Sequence, residues 1–120
     1  MPTTEQLQQH VFGLCKRHAI TIYWCKRCSQ SYSVREVDEI TIAPIRSPIS
    51  YATALHEIGH HLGSHQTSQF VIVRERWAWR WARGNALIWT EAMERSAQQA
   101  FAWYARAAEI DQRRASAASL

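Results

Sequence analysis

The run Ala54-Leu55-His56-Glu57-Ile58-Gly59-His60-His61-Leu62-Gly63 holds the residues of this chain best suited to chemistry. Residues four apart on a helix share a face, so His56 and His60 can offer both imidazoles to one metal ion. Glu57 lies beside that face, where a carboxylate can take a proton from a water polarised by the metal, the task of a general base in hydrolysis. The flanking Ala54, Leu55, Ile58 and Leu62 are uncharged, as a helix beneath a cleft requires. Gly63 is placed to end that helix in a left-handed conformation.

A catalytic zinc takes three protein ligands and keeps a fourth position for water, so two histidines leave one ligand to find. His65 is one candidate, because the extended pattern H-E-x-x-H-x-x-G-x-x-H of the metzincins continues here as far as Gly63. That pattern needs histidine at position 66, where this chain has Gln66, and His65 comes one residue early. Glu75 is the stronger candidate. A helix expected over Ser68 to Arg83 sets Val71, Glu75, Ala78 and Ala82 on one stripe, with Glu75 its only charge. The two alanines let that helix approach the His56/His60 helix closely enough for a carboxylate to reach the metal. A third source is an acid within Glu36-Val37-Asp38-Glu39, ahead of the motif on an expected strand.

On the run Ala54 to Gly63 followed by Glu75-Arg76-Trp77-Ala78, the chain resembles the small zincin metallopeptidases of the gluzincin type, above all the ImmA/IrrE-like proteins of bacteria and phages. The resemblance implies an α+β zincin-like fold in which His56, His60 and Glu75 bind one Zn2+ ion and Glu57 is the catalytic base. It implies hydrolysis of peptide bonds in a protein substrate, such as a transcriptional regulator, held as an added strand on a sheet edge. We expect Glu39 to Ala43 to be that edge, since it lies nearest in sequence to the motif helix. Where thermolysin-like enzymes carry a ligand-supporting aspartate, four residues after the glutamate, this chain has Trp79. Candidates for a second donor to the oxyanion are His65, Tyr51 and Tyr104.

The elements that must position these groups read as a short helix, a small sheet, then helices. Leu7, Val11 and Leu14 recur at helical spacing between Thr4 and His18, with Thr4 as expected N-cap. Ile20 to Trp24 and Glu39 to Ala43 are rich in β-branched and aromatic residues and read as strands, with Gln30 to Arg35 a third. Pro44 and Pro48 break the sheet before a motif helix expected to start near Ser50. After Gly84-Asn85, Thr90 caps a last helix whose apolar stripe is Met93, Ala97, Ala100, Tyr104 and Ala107. The segment from Arg113 to Leu120 is expected to fray.

A chain of 120 residues, 47% hydrophobic and with six tryptophans, fits one domain, 1–120, with one core. No stretch nears the ~18 apolar residues of a membrane span, and the start lacks the apolar core of a secretory signal, so the expected location is the cytoplasm. Three cysteines, an odd number, favour reduced thiols. Cys15, His18, Cys25 and Cys28 could otherwise assemble a structural zinc site, and Cys25 to Cys28 has the C-x-x-C spacing of a redox pair.

The net charge of +4 supports a different function, a nucleic-acid-binding module in which Arg76, Arg80 and Arg83 share one helix face beside Trp77 and Trp81. A solvated outer face explains the same arginines. A third reading is a zincin scaffold that lacks peptidase activity and acts as a regulator; the presence of Glu57 weighs against it, because a zinc site that only binds has no need of that carboxylate.

Overall fold

The structure, a computed structural model, describes residues 1–26 and 32–118. Its elements run α1 (Thr4–Arg17), β1 (Thr21–Trp24), β2 (Tyr32–Val34), a 3-10 turn (Arg35–Val37), β3 (Glu39–Ile42), α2 (Pro48–Leu62), α3 (Val71–Asn85) and α4 (Glu91–Ala118). The class is α+β, with four helices and a three-stranded mixed sheet among the described residues. No described helix is long and apolar enough to cross a membrane.

Strand order is β1-β3-β2. β3 pairs in parallel with β1, Ile22 opposite Ile40, and antiparallel with β2, Ser33 opposite Ile40. This corrects the expected edge: β3 is the central strand, its hydrogen-bonding groups taken on both sides, so it has none to offer a peptide. Its period-two alternation shows why the chain puts it there, since Ile40 and Ile42 are buried while Glu39 and Thr41 are half-buried. Within the expected third strand, 30–35, Gln30 and Ser31 lie outside the described residues, and Tyr32–Val34 is an edge strand.

The N-terminal ends of three helices differ from the expected ones. Thr3, not Thr4, caps α1, because only Thr3 has a glutamine three residues on: Thr3 Oγ1 accepts from the Gln6 N–H at 3.1 Å, and Gln6 Oε1 accepts from the Thr3 N–H at 2.8 Å. α2 starts at Pro48, two residues before Ser50, since Ser47 and Ser50 exchange backbone-to-hydroxyl bonds and proline suits the first helical position. α3 starts at Val71, three residues after Ser68, and runs on to Asn85. Thr90 caps α4 as expected, its hydroxyl accepting from the Met93 N–H. The C-terminal segment is drawn as helix to Ala118, exposed to solvent over 108–117.

One core joins the layers. Leu7, Val11, Leu14 and Cys15 of α1 meet Ile40 and Ile42 of β3, Tyr51, Leu55 and Ile58 of α2, Trp79 and Ala82 of α3, and Met93 and Ala97 of α4. Each large aliphatic chain buried there contributes about 1.5–3 kcal/mol of transfer free energy. Cys15 is thus a core residue, and burial pushes its thiol up to about 11. His18, by contrast, is exposed at the end of α1. Cys28, the last member of the expected cysteine site and of the C-x-x-C pair, lies outside the described residues.

Candidate metal centre

α2 and α3 come together at two glycines. A Cβ on Gly59 would lie 2.5 Å from the Ala78 carbonyl oxygen, and one on Gly63 would lie 3.1 Å from that of Trp77. Gly63 ends α2 in an extended conformation, φ −72°, so its expected left-handed cap is replaced by this need for close approach. Glycine on α2 and Ala78 on α3 bring the backbones close enough for side chains of both helices to meet.

What meets there is His56, His60 and Glu75. His56 Nε2 lies 2.6 Å from Glu75 Oε2, and His60 Nε2 lies 3.1 Å from Glu75 Oε1. Glu57 Oε1 sits 3.3 Å from His56 Nδ1. His56, Glu57 and Glu75 are buried, and His60 is half-buried. His56, Glu57 and His60 by themselves bring one donor atom each within 4.8 Å of one another, so Glu57 and Glu75 both compete for the role of third ligand. Glu75 is the better fit, because both Nε2 atoms face its carboxylate while Glu57 approaches the opposite nitrogen of His56.

The partners of each Nδ1 support this orientation. Gln66, buried in the loop between α2 and α3, donates from its amide nitrogen to the carbonyls of Ser64 and Arg74. Its Oε1 is therefore left to accept from His60 Nδ1, at 2.9 Å, which turns His60 Nε2 toward Glu75. The ring of Trp79 stacks on His56 at 4.1 Å and 14°. Thus a tryptophan face and a glutamine, in place of an aspartate, hold the two imidazoles. No spacing rule marks a loop glutamine such as Gln66 as a histidine's partner.

Burial opposes charge on His56 and is the largest single influence, yet the hydrogen bonds and negative charges of Glu57 and Glu75 together outweigh it and raise its pKa to about 9. For Glu75, burial works against ionisation, and the hydrogen bonds and charges of His56 and His60 overcome it, giving about 2. The cluster without metal is therefore an ion pair held in a low-dielectric site. As a donor set it suits zinc: two imidazoles and a carboxylate, with one position left for water. The 2.6 and 3.1 Å separations of the two Nε2 atoms from the Glu75 carboxylate put all three side chains within reach of one ion.

The cluster lies in a cleft of about 710 Å³ whose rim includes Ser33, Arg35 and Glu36 from β2 and the turn, and Tyr104 from α4. Of the three expected oxyanion donors, Tyr104 alone reaches it. Tyr51 is fully buried, its hydroxyl 2.6 Å from His10 Nδ1 and accepting from the Leu87 N–H. His65 is exposed and stacks on Trp77. The phenol of Tyr104 is raised above its ordinary pKa by burial and by the charges of Glu75 and Glu57, so it stays protonated and able to donate. Among the early acids, Glu36 stands at the rim, and the Glu39 carbonyl and Asp38 carboxylate face His61, at 3.1 and 3.8 Å.

The arginine face does not form as one free row. Arg76 and Arg80 are exposed over the rings of Phe101 and Trp77, but Arg83 turns to α4 and binds both oxygens of Glu94, at 2.6 and 3.1 Å. Comparison of the chain with protein families, with curated proteins and with solved structures returns no match.

Proposed function

We propose that this protein is a zincin-like metallopeptidase of the gluzincin type that binds one zinc ion through His56, His60 and Glu75 and hydrolyses peptide bonds in a protein substrate. The observation that carries the reading is the convergence of the His56 and His60 Nε2 atoms on the two oxygens of Glu75, with Glu57 adjacent in the same cleft. Bound zinc supplies Lewis acidity, which makes water acidic enough to attack a carbonyl near neutral pH.

The chain's own residues divide the remaining work. Glu57 takes the proton of the attacking water and passes it to the leaving amine. Tyr104, at the rim, donates its phenolic O–H to the oxygen on which negative charge develops. Gln66 and Trp79 keep the imidazoles in place. β2 takes the role first expected of Glu39 to Ala43: it is an edge strand, and Ser33 on it lines the cleft, so an extended peptide pairing with β2 runs past the cluster.

Glu57→Gln tests the reading, because it keeps the shape of the side chain and every ligand while removing the base. Assayed against a broad peptide library and candidate regulator proteins, it should hold zinc as the parent does and lose roughly 100-fold or more of the cleavage rate. Equal cleavage by the variant would remove Glu57 from its role.

A further inference from the structure

Of the charged side chains that line the main cleft, all but one have a counter-charge at hand. Glu57 and Glu75 lie against His56, and their negative charges equal the positive charge of a zinc ion. Arg35 and Glu36, neighbours in the chain and both exposed at the rim, carry opposite charges. Arg74 stands apart: among the described residues no carboxylate lies within ion-pair distance of it.

Arg74 is also held in place. Its Nη1 donates to the Ser68 carbonyl at 2.6 Å, and Ser68 itself lines the cleft, so the guanidinium sits at the cleft wall. The Arg74 carbonyl in turn accepts from the Gln66 amide, which ties the loop between α2 and α3 to the start of α3 a second time. A guanidinium has several N–H donors in a rigid fork, and the bond to Ser68 leaves others for a further acceptor. A half-buried cation braced in this way loses less side-chain freedom on binding than an arginine loose on the surface.

We infer, resting on the peptidase reading above, that the cleft selects an extended peptide with an acidic side chain near the scissile bond, and that Arg74 reads that side chain. Arg74 directly precedes Glu75 on α3, and an extended peptide advances about 3.3 Å per residue, so the acid falls within a few residues of the bond that is cut. Its carboxylate pairs with the guanidinium through charge-assisted hydrogen bonds, which are stronger than neutral ones. Pairing with β2 holds the backbone of any extended peptide, and Arg74 adds the preference that backbone pairing lacks.

The test uses libraries of short peptides, acetylated and amidated so that no chain-end charge takes part, randomised over neutral residues and fixed at one position as Glu, Gln or Lys. Cleavage by the zinc-loaded parent is read by mass spectrometry, and retention is read on immobilised Glu57→Gln protein, which keeps the cleft without the base. For at least one fixed position the Glu library should be cut and retained roughly tenfold or more better than the Gln library, the effect of a hydrogen bond to a charged group. Arg74→Gln keeps a donor for the Ser68 carbonyl and removes the charge, so it should bring that ratio close to one, and Arg74→Glu should turn the preference toward Lys. A role confined to bracing the loop would lower both libraries alike and leave their ratio unchanged. Equal treatment of the Glu and Gln libraries by the parent at every position, retention of neither, or a ratio preserved in Arg74→Gln would overturn the inference. If the parent cuts nothing, the peptidase reading falls, and the retention ratios alone decide whether Arg74 selects an acidic peptide.

Discussion

α3 has two contact faces, and they are built on opposite principles. Toward α2 it presents Glu75, Ala78 and Ala82, all buried, and the approach is so close that position 59 on α2 tolerates no side chain. Toward α4 it presents Arg76 and Arg83, held by an ion pair and a ring contact, with a cavity left between. Small residues fix the distance between two backbones and so fix where buried donor atoms sit; long charged residues bridge a wider gap and tolerate adjustment. The groups proposed to bind metal are on the face where position is set by backbone contact.

The comparison is broken most severely at Gly59. Gly59→Ala places a methyl group 2.5 Å from the Ala78 carbonyl oxygen, and backbone cannot swing aside as a side chain would. Overpacking of this kind costs about 1–3 kcal/mol and occasionally more, and here the upper end is expected, together with loss of zinc affinity, because the helices must separate. Chemical denaturation and zinc titration of the variant check both effects.

The charge state of the same face gives a second test. In the metal-free protein the His56 pKa of about 9 lies above its unfolded value of 6.5, so its contribution to stability is fully present below 6.5 and is lost as pH rises toward 9. Glu75, at about 2 against 4.5, contributes above 4.5 and loses that contribution as pH falls toward 2. Between about 4.5 and 6.5 both act, and stability of the metal-free protein should decline as pH rises from neutral to 9. Zinc reverses the slope on that side, because His56 must give up its proton to bind it, so zinc affinity should rise with pH and near pH 7 binding should release about one proton. Calorimetry in buffers of different ionisation enthalpy measures that proton; none released would contradict the account of His56.

Least affected should be the α4 face. The Arg83–Glu94 pair is partly exposed, with side chains 37% and 33% accessible, so a double-mutant cycle through Arg83→Ala and Glu94→Ala should return about 1 kcal/mol or less. Zinc affinity should not change. A coupling several times larger would mean that this face too is rigidly fixed.

What could be read in the sequence follows from how local the signal is. The His56/His60 spacing and the Glu75 stripe depend on helical periodicity, and both helices form. The capping box at Thr3 is local too, since Thr3 and Gln6 stand three residues apart, whereas Thr4 has Leu7 at that spacing. Strand order was not legible, because neighbours in a sheet are set by the burial of both faces and not by order along the chain: β3 is last and yet central. Nor could sequence place Gln66 on His60 or Trp79 on His56, since those contacts exist only once a loop folds back and the two helices touch. Helical spacing likewise takes no account of α4 arriving beside Arg83, whose guanidinium binds Glu94.

The central claim is that two histidines of α2 and one glutamate of α3 hold a single zinc ion, and metal content tests it most directly. Protein purified without chelator, analysed by plasma mass spectrometry beside Glu75→Ala and His65→Ala, should carry close to one zinc per chain in the parent and in His65→Ala. It should carry almost none in Glu75→Ala. A parent that neither contains zinc nor takes it up, or a Glu75→Ala protein that holds zinc as tightly as the parent, would contradict the account.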